Sequence, residues 1–215
     1  MKKIQFLLFI GVLQFFVFTS CNDDSPKTKE ITLKPGAAEG KDAQVFSGDP
    51  EGNEDLGTNR RDLVANEWIQ NSIPASKYIL IDFDLSFLDT DAVVEKAELW
   101  LYHDEGSFDE GHSTQSGTNE LIVERIISDW EESGSWNERP TTTGVNFSLV
   151  PSSQSETQNY SILVTRIVRD YVADPTGSYG FLLKMENSNP FRSVTFASSD
   201  HPDSNLHPEL RITYR

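Results

Sequence analysis

The chain has a single cysteine, Cys21, so no disulfide can form within it. Basic residues are scarce, 18 Lys and Arg against 34 Asp and Glu, for a formal net charge of −16. That balance argues against nucleic acids and anionic membrane surfaces, both of which require clustered cations. The four histidines (His103, His112, His201 and His207) lack the i, i+4 spacing of a zinc helix. His201, Asp203 and His207 share a segment, but Pro202 and Pro208 make it read as a turn. No nucleophile elbow, phosphate loop or reactive cysteine is present, and acid pairs in so acidic a chain do not nominate a glycosidase. The sequence therefore predicts no catalysis and no nucleic-acid partner.

The one long apolar run, Ile4–Phe18, is interrupted by Gln14 and falls short of the roughly 18 residues of a spanning helix. It follows Lys2 and Lys3 and ends at Thr19, Ser20 and Cys21, the pattern of a secretory signal. It resembles a bacterial lipoprotein signal, which implies lipidation of Cys21 and a membrane association through that anchor alone. Asn22, Asp23 and Asp24 then resemble an export signal that takes some Gram-negative lipoproteins to the outer-membrane surface. The expected division is a signal over 1–21, a polar tether over 22–30 that is too poor in apolar residues to fold, and one domain over 31–215.

Within that domain, short runs with apolar alternation (ITLKP, DAQVF, DLVANEWI, YILIDFDL, KAELWLY, ELIVERI, VNFSLV, YSILVT, YGFLLKM, SVTFAS and ELRITY) are separated by turn residues. About ten strands with almost no helix predict an all-β, antiparallel β-sandwich, because parallel sheets need crossover helices. LVTRIVRDYVAD alone has apolar residues four apart, predicting one short helix that ends before Pro175. In KAELWLY, Ala97, Leu99 and Leu101 are expected to face the core and Lys96, Glu98, Trp100 and Tyr102 to face away. In YILIDFDL, Ile79, Ile81, Phe83 and Leu85 should point in, with Asp82 and Asp84 out.

DAQV, GNEDLG, FDLS, AELWLY, DWEESGSWNERP, YGFLLK, FASSD and HPELRITY occur in this order between Asp42 and Tyr214. In that set and order the chain resembles the DNRLRE domain, also described as carbohydrate-binding module family 96. The resemblance implies a jelly-roll-like sandwich that binds polysaccharide without catalysis, found alone or attached to polysaccharide-degrading enzymes and adhesins. Some members bind acidic polysaccharides. Similar domains often carry Lys or Arg before the FDLS phenylalanine, whereas Asp82 stands there in this chain, which counts against an anionic glycan.

A sugar ring has C–H faces and hydroxyl edges, so a site needs an aromatic platform with converging polar groups. Trp100 and Tyr102 are the expected platform, with Lys96, Glu98, Asp82, Asp84 and Lys184 supplying polar contacts and Trp68 a further platform if its strand lies nearby. DWEESGSWNERP reads first as a corner of the fold: a strand ends, turns and resumes, Asn137 bonds its own turn, and Arg139 forks onto a carboxylate such as Asp129. The alternative has Trp136 and Arg139 lining a ligand groove. The loop holding Asp49, Glu51, Asn53 and Asp55, with Asp42 nearby, offers hard oxygen ligands for a structural calcium, although it fails the EF-hand template. The rival to glycan binding is a structural or adhesive cell-surface module with a protein partner.

Overall fold

A computed structural model describes residues 27–54, 60–107 and 111–215. Cys21 and Asp55 lie outside the described residues, as does the signal. The strands are β1 (Lys29–Leu33), β2 (Lys41–Phe46), β3 (Asp62–Gln70), β4 (Ile73–Asp82), β5 (Val94–Leu101), β6 (Ser113–Thr114), β7 (Leu121–Ile126), β8 (Thr142–Val150), β9 (Tyr160–Leu163), β10 (Phe181–Met185), β11 (Arg192–Ala197) and β12 (Glu209–Tyr214). The one helix among the described residues longer than a single 3-10 turn is α1 (Thr165–Ala173).

All strand pairs are antiparallel. One sheet runs β1-β12-β5-β9, and the other runs β6-β11-β3-β4-β10-β7-β8 with β2 also on β4. β4 pairs with β3 over 73–77 and with β2 over 77–82, so the larger sheet branches at Lys77. The sandwich is thus as the alternation predicts, and each run read as a strand is one; the two-residue β6 is the strand it misses.

Pleating puts Ala97, Leu99 and Leu101 of β5 into the main core with Leu210 and Ile212 of β12. Ile79, Ile81, Phe83 and Leu85 enter it from the other sheet, as expected. α1 adds Ile167, Val168 and Val172, and its Thr165 hydroxyl accepts from the Ala97 amide at 2.9 Å. The helix ends at Asp174, whose amide still reaches the Asp170 carbonyl, and Pro175 follows.

The larger sheet is apolar on both faces where β2, β4, β10 and β7 meet. Leu80 and Leu182, one residue out of phase with the main core, join Ala43, Val45 and Ile126 in a second cluster under Trp130. The continuous run Tyr78–Ile81 is the mark of a strand buried on both sides. Among the described residues no helix is long and apolar enough to cross a membrane.

Candidate functional site

On the smaller sheet, register places Trp100 opposite Glu209 and Glu98 opposite Arg211. Trp100 and Tyr102 do point away from the core, but their rings are already engaged. The Arg211 guanidinium lies 4.1 Å from the centre of the Trp100 ring, and Lys34 Nζ lies 4.9 Å from that of Tyr102. Tyr102 donates its hydroxyl to Glu209 at 3.1 Å, and Glu209 pairs with both Lys34 and Arg211. Burial and that carboxylate push the Tyr102 hydroxyl's pKa up. Lys96 is paired with Glu98 at 2.9 Å. Trp100 Nε1 is buried with no partner in the protein. The face closes on itself.

Two residues expected on this face are not there. Asp82 ends β4 and Lys184 sits in β10, both in the larger sheet. Alternation fixes which side of its own strand a residue takes, not which sheet the strand joins. Asp82 lies opposite Lys41, caps the Phe83 amide at 2.9 Å and is held above the usual carboxylate range by burial. Asp84 is exposed and accepts from the Ser86 amide. Lys184 pairs with Glu124 at 3.0 Å.

The tryptophan stretch is a corner. Trp130 is buried, donates Nε1 to the Tyr179 carbonyl at 2.9 Å and carries Lys41 over its ring at 4.5 Å. Ser135 and Glu138 form a capping box on the 3-10 turn Trp136–Glu138. Asn137 bonds the other loop's Glu51 carbonyl at 2.8 Å rather than its own turn. Its amide packs on Gly52, where φ is +67° and a Cβ would come within 2.7 Å. Arg139 does not fork onto Asp129: its guanidinium stacks 4.3 Å from the Trp136 ring centre and donates to the Trp136 carbonyl, while Asp129 pairs with Lys41. Stacking on a planar indole competes well with an exposed ion pair. Trp136 also meets Tyr78 at 5.0 Å, and a shallow depression beside them collects Asn137, Arg139, Thr142 and Lys184.

A larger concavity than that depression lies elsewhere, about 910 Å³ in volume, within the range of ligand sites. Its floor is a cross-strand row, Phe46–Lys77–Asn66–Ser193–Ser113, in register through β2, β4, β3, β11 and β6. Trp68 and Gln70 extend it along β3, two and four residues beyond Asn66 on the same side of the strand. Trp68 is half-buried and stands at 83° to Phe191, 5.2 Å away. Phe191 has φ +64°, a costly conformation for a bulky residue, and this holds its ring against the indole.

The walls are the 111–115 and 153–156 segments, joined by the His112 amide donating to the Glu156 carbonyl at 3.0 Å. Gly111 permits this approach: φ is +96° and a Cβ would meet Glu156 O at 2.7 Å. His112 Nδ1 accepts from the Thr195 amide at 3.0 Å, so its proton sits on Nε2, 2.7 Å from the Gln158 carbonyl. Burial depresses the His112 pKa and favours the neutral ring. Asn66 is only 8% exposed, and its Oδ1 has no hydrogen-bond partner in the protein. Trp68 was legible as a platform; Asn66, two residues before it in DLVANEWI, carried the overlooked signal of a carboxamide on the same side.

The acidic loop is organised by its own backbone. Asp49 accepts from the Asn53 amide at 2.6 Å and from those of Glu54 and Glu51, which hold its carboxyl below the usual range. Asn53 Oδ1 faces Asn137, and Glu51 is exposed. Asp42 is not part of this loop: it is buried, accepts from the Ser199 amide at 2.8 Å and has its pKa raised to about 6 by burial. Among the described residues, no three His, Cys, Asp or Glu side chains are placed to hold a metal. His201 instead joins Asp104, which Arg61 grips through two bonds of 2.9 and 2.8 Å.

The antiparallel sandwich thus carries a groove with Phe46 and Trp68 on its floor and a lining rich in carboxamides. Residues 37–214 match carbohydrate-binding module family 96, and the chain belongs to that family. Carbohydrate binding is accordingly its general role. Comparison with curated proteins returned no match.

Proposed function

We propose that this protein binds polysaccharide without cleaving it, at the cell surface, held in the outer membrane by a lipid on Cys21. The observation that carries the reading is the groove beside Trp68, where an indole meets four carboxamide side chains and a set of hydroxyls. Membership in a family of binding modules supports a non-catalytic role. The lipoprotein-like Cys21 and the acids after it support the location. A single groove binds weakly, and many tethered copies facing one polymer gain avidity. A glycan array on the detergent-purified chain should show polysaccharide ligands, and Cys21→Ser should release the protein from membranes. No bound glycan would refute the first part, and retention of the serine variant in membranes the second.

A second reading, a surface module that docks on a protein, is favoured by one feature. Val145, Phe147 and Leu149 alternate along the edge strand β8 at 63, 44 and 62% exposure, with Leu163 of β9 at 59%. Such a row on a sheet edge is a docking surface for another chain. Phe147→Glu would abolish crosslinking to that partner while leaving glycan retention intact; glycan binding without any such crosslink removes this reading.

A further inference from the structure

Resting on the reading that the Trp68 groove holds polysaccharide, we infer that the groove selects a neutral, hydroxyl-rich glycan through the scarcity of charge in its lining, and that Asn66 anchors one of the ring hydroxyls. Among the described residues the groove is lined by one cation and one anion: Lys77, whose Nζ lies 5.9 Å from the Phe46 ring centre, and Glu156. Its remaining polar lining is uncharged. Gln70, Gln115 and Gln154 stand with Asn66, and serine and threonine hydroxyls from 113–114, 153, 155 and 193 surround them. His112 adds no charge, since both ring nitrogens are used inside the wall. A polyuronate or sulfated chain presents an anion at each repeat and would leave its charges against a single ammonium, within a protein of net charge −16.

Asn66 supplies an anchor for the ring. A buried acceptor without a donor carries an uncompensated desolvation cost, so a ligand that supplies the donor gains what the free protein lacks. A sugar hydroxyl donates as well as accepts and serves the carboxamide in either orientation of its amide. A carboxylate or sulfate oxygen only accepts, so the charged groups of an acidic glycan cannot serve Asn66 Oδ1, and they meet a lining with a single ammonium to balance them. The indole of Trp68, two residues beyond Asn66 on the same side of β3 and braced by Phe191, takes the C–H face of the ring whose hydroxyl reaches Asn66.

The test is affinity electrophoresis of the full chain in gels containing laminarin, galactomannan, alginate or polygalacturonate. A neutral polymer should retard the protein and the two uronates should not. Asn66→Ala should weaken that retention about tenfold, and Trp68→Ala at least as much. Gln70→Ala, on an exposed residue, supplies a variant that keeps the fold if Asn66→Ala does not, with a loss of about threefold. Retention by a uronate alone would overturn the selectivity and leave polysaccharide binding standing. Neutral-glycan retention untouched by all three variants would overturn the placement. Retention by none of the polymers would overturn the underlying reading and the inference with it.

Discussion

Asp42→Asn should stabilise the protein at neutral pH and do little at pH 4. Asp42 is 3% exposed, with Glu132 and Asp200 adding to the desolvation that raises its pKa from 3.8 to about 6. The folded state therefore binds this proton more tightly than the unfolded chain. As pH rises through the window from about 4 to about 6, the unfolded chain releases the proton first, and stability falls. Above pH 6 the full cost stands: a shift of about two units at 1.36 kcal/mol each is about 3 kcal/mol. Asparagine carries no charge to bury and still offers Oδ1 to the Ser199 amide, which Asp42 accepts at 2.8 Å. Weakening of that bond returns part of the gain, so the expected increase at pH 8 is about 1–3 kcal/mol. Urea unfolding followed by tryptophan fluorescence at pH 4, 5, 6, 7 and 8 measures it. The quantity to read is the difference between variant and parent, because depressed carboxylates such as Asp49 and Glu138 push the parent's own curve the other way. A difference that stays flat from pH 4 to 8, or a variant less stable at pH 8, would refute the reasoning.

Other expectations follow from the packing. Trp130→Ala removes the indole that covers Leu80 and Leu182 and its bond to the Tyr179 carbonyl, and should cost about 3–5 kcal/mol in urea unfolding. Arg61→Ala leaves the buried Asp104 carboxylate without its two-point partner and should lower stability in urea unfolding, a loss that Asp104→Asn in the same chain should partly restore. Trp100→Ala should leave glycan retention within about twofold of the parent, because Arg211 occupies that ring. Gly111→Ala forces a Cβ against the Glu156 carbonyl, so it should loosen the 153–156 wall and weaken retention without abolishing the cooperative unfolding transition.

The strands were legible because each carries its own alternation. Ala97, Leu99 and Leu101 show which side of β5 meets the core whatever lies opposite. What could not be read was pairing between distant segments. Nothing in YILIDFDL or YGFLLKM says that β4 and β10 lie together in the sheet opposite β5, so the sequence alone cannot separate Asp82 and Lys184 from Trp100, which the sandwich places on different sheets. The outward aromatics of β5 were placed correctly on their strand, but the cations that cover them arrive from β12 and from Lys34, far along the chain. The sequence pairs Arg139 with a carboxylate because charge is visible in it, whereas the stacking surface next to Arg139 depends on how the corner closes. The groove is the strongest case: its floor spans five strands and its walls come from two loops, and only Trp68 with Asn66 leaves a local trace.

Hydrogen–deuterium exchange on the full chain, with and without the polymer that retards it best, tests the groove most directly. Glycan should slow exchange in peptides covering 66–70, 111–115 and 153–156, and leave 96–102 and 209–211 unchanged. Protection confined to 96–102 and 209–211 would put the sugar on the smaller sheet and contradict the account.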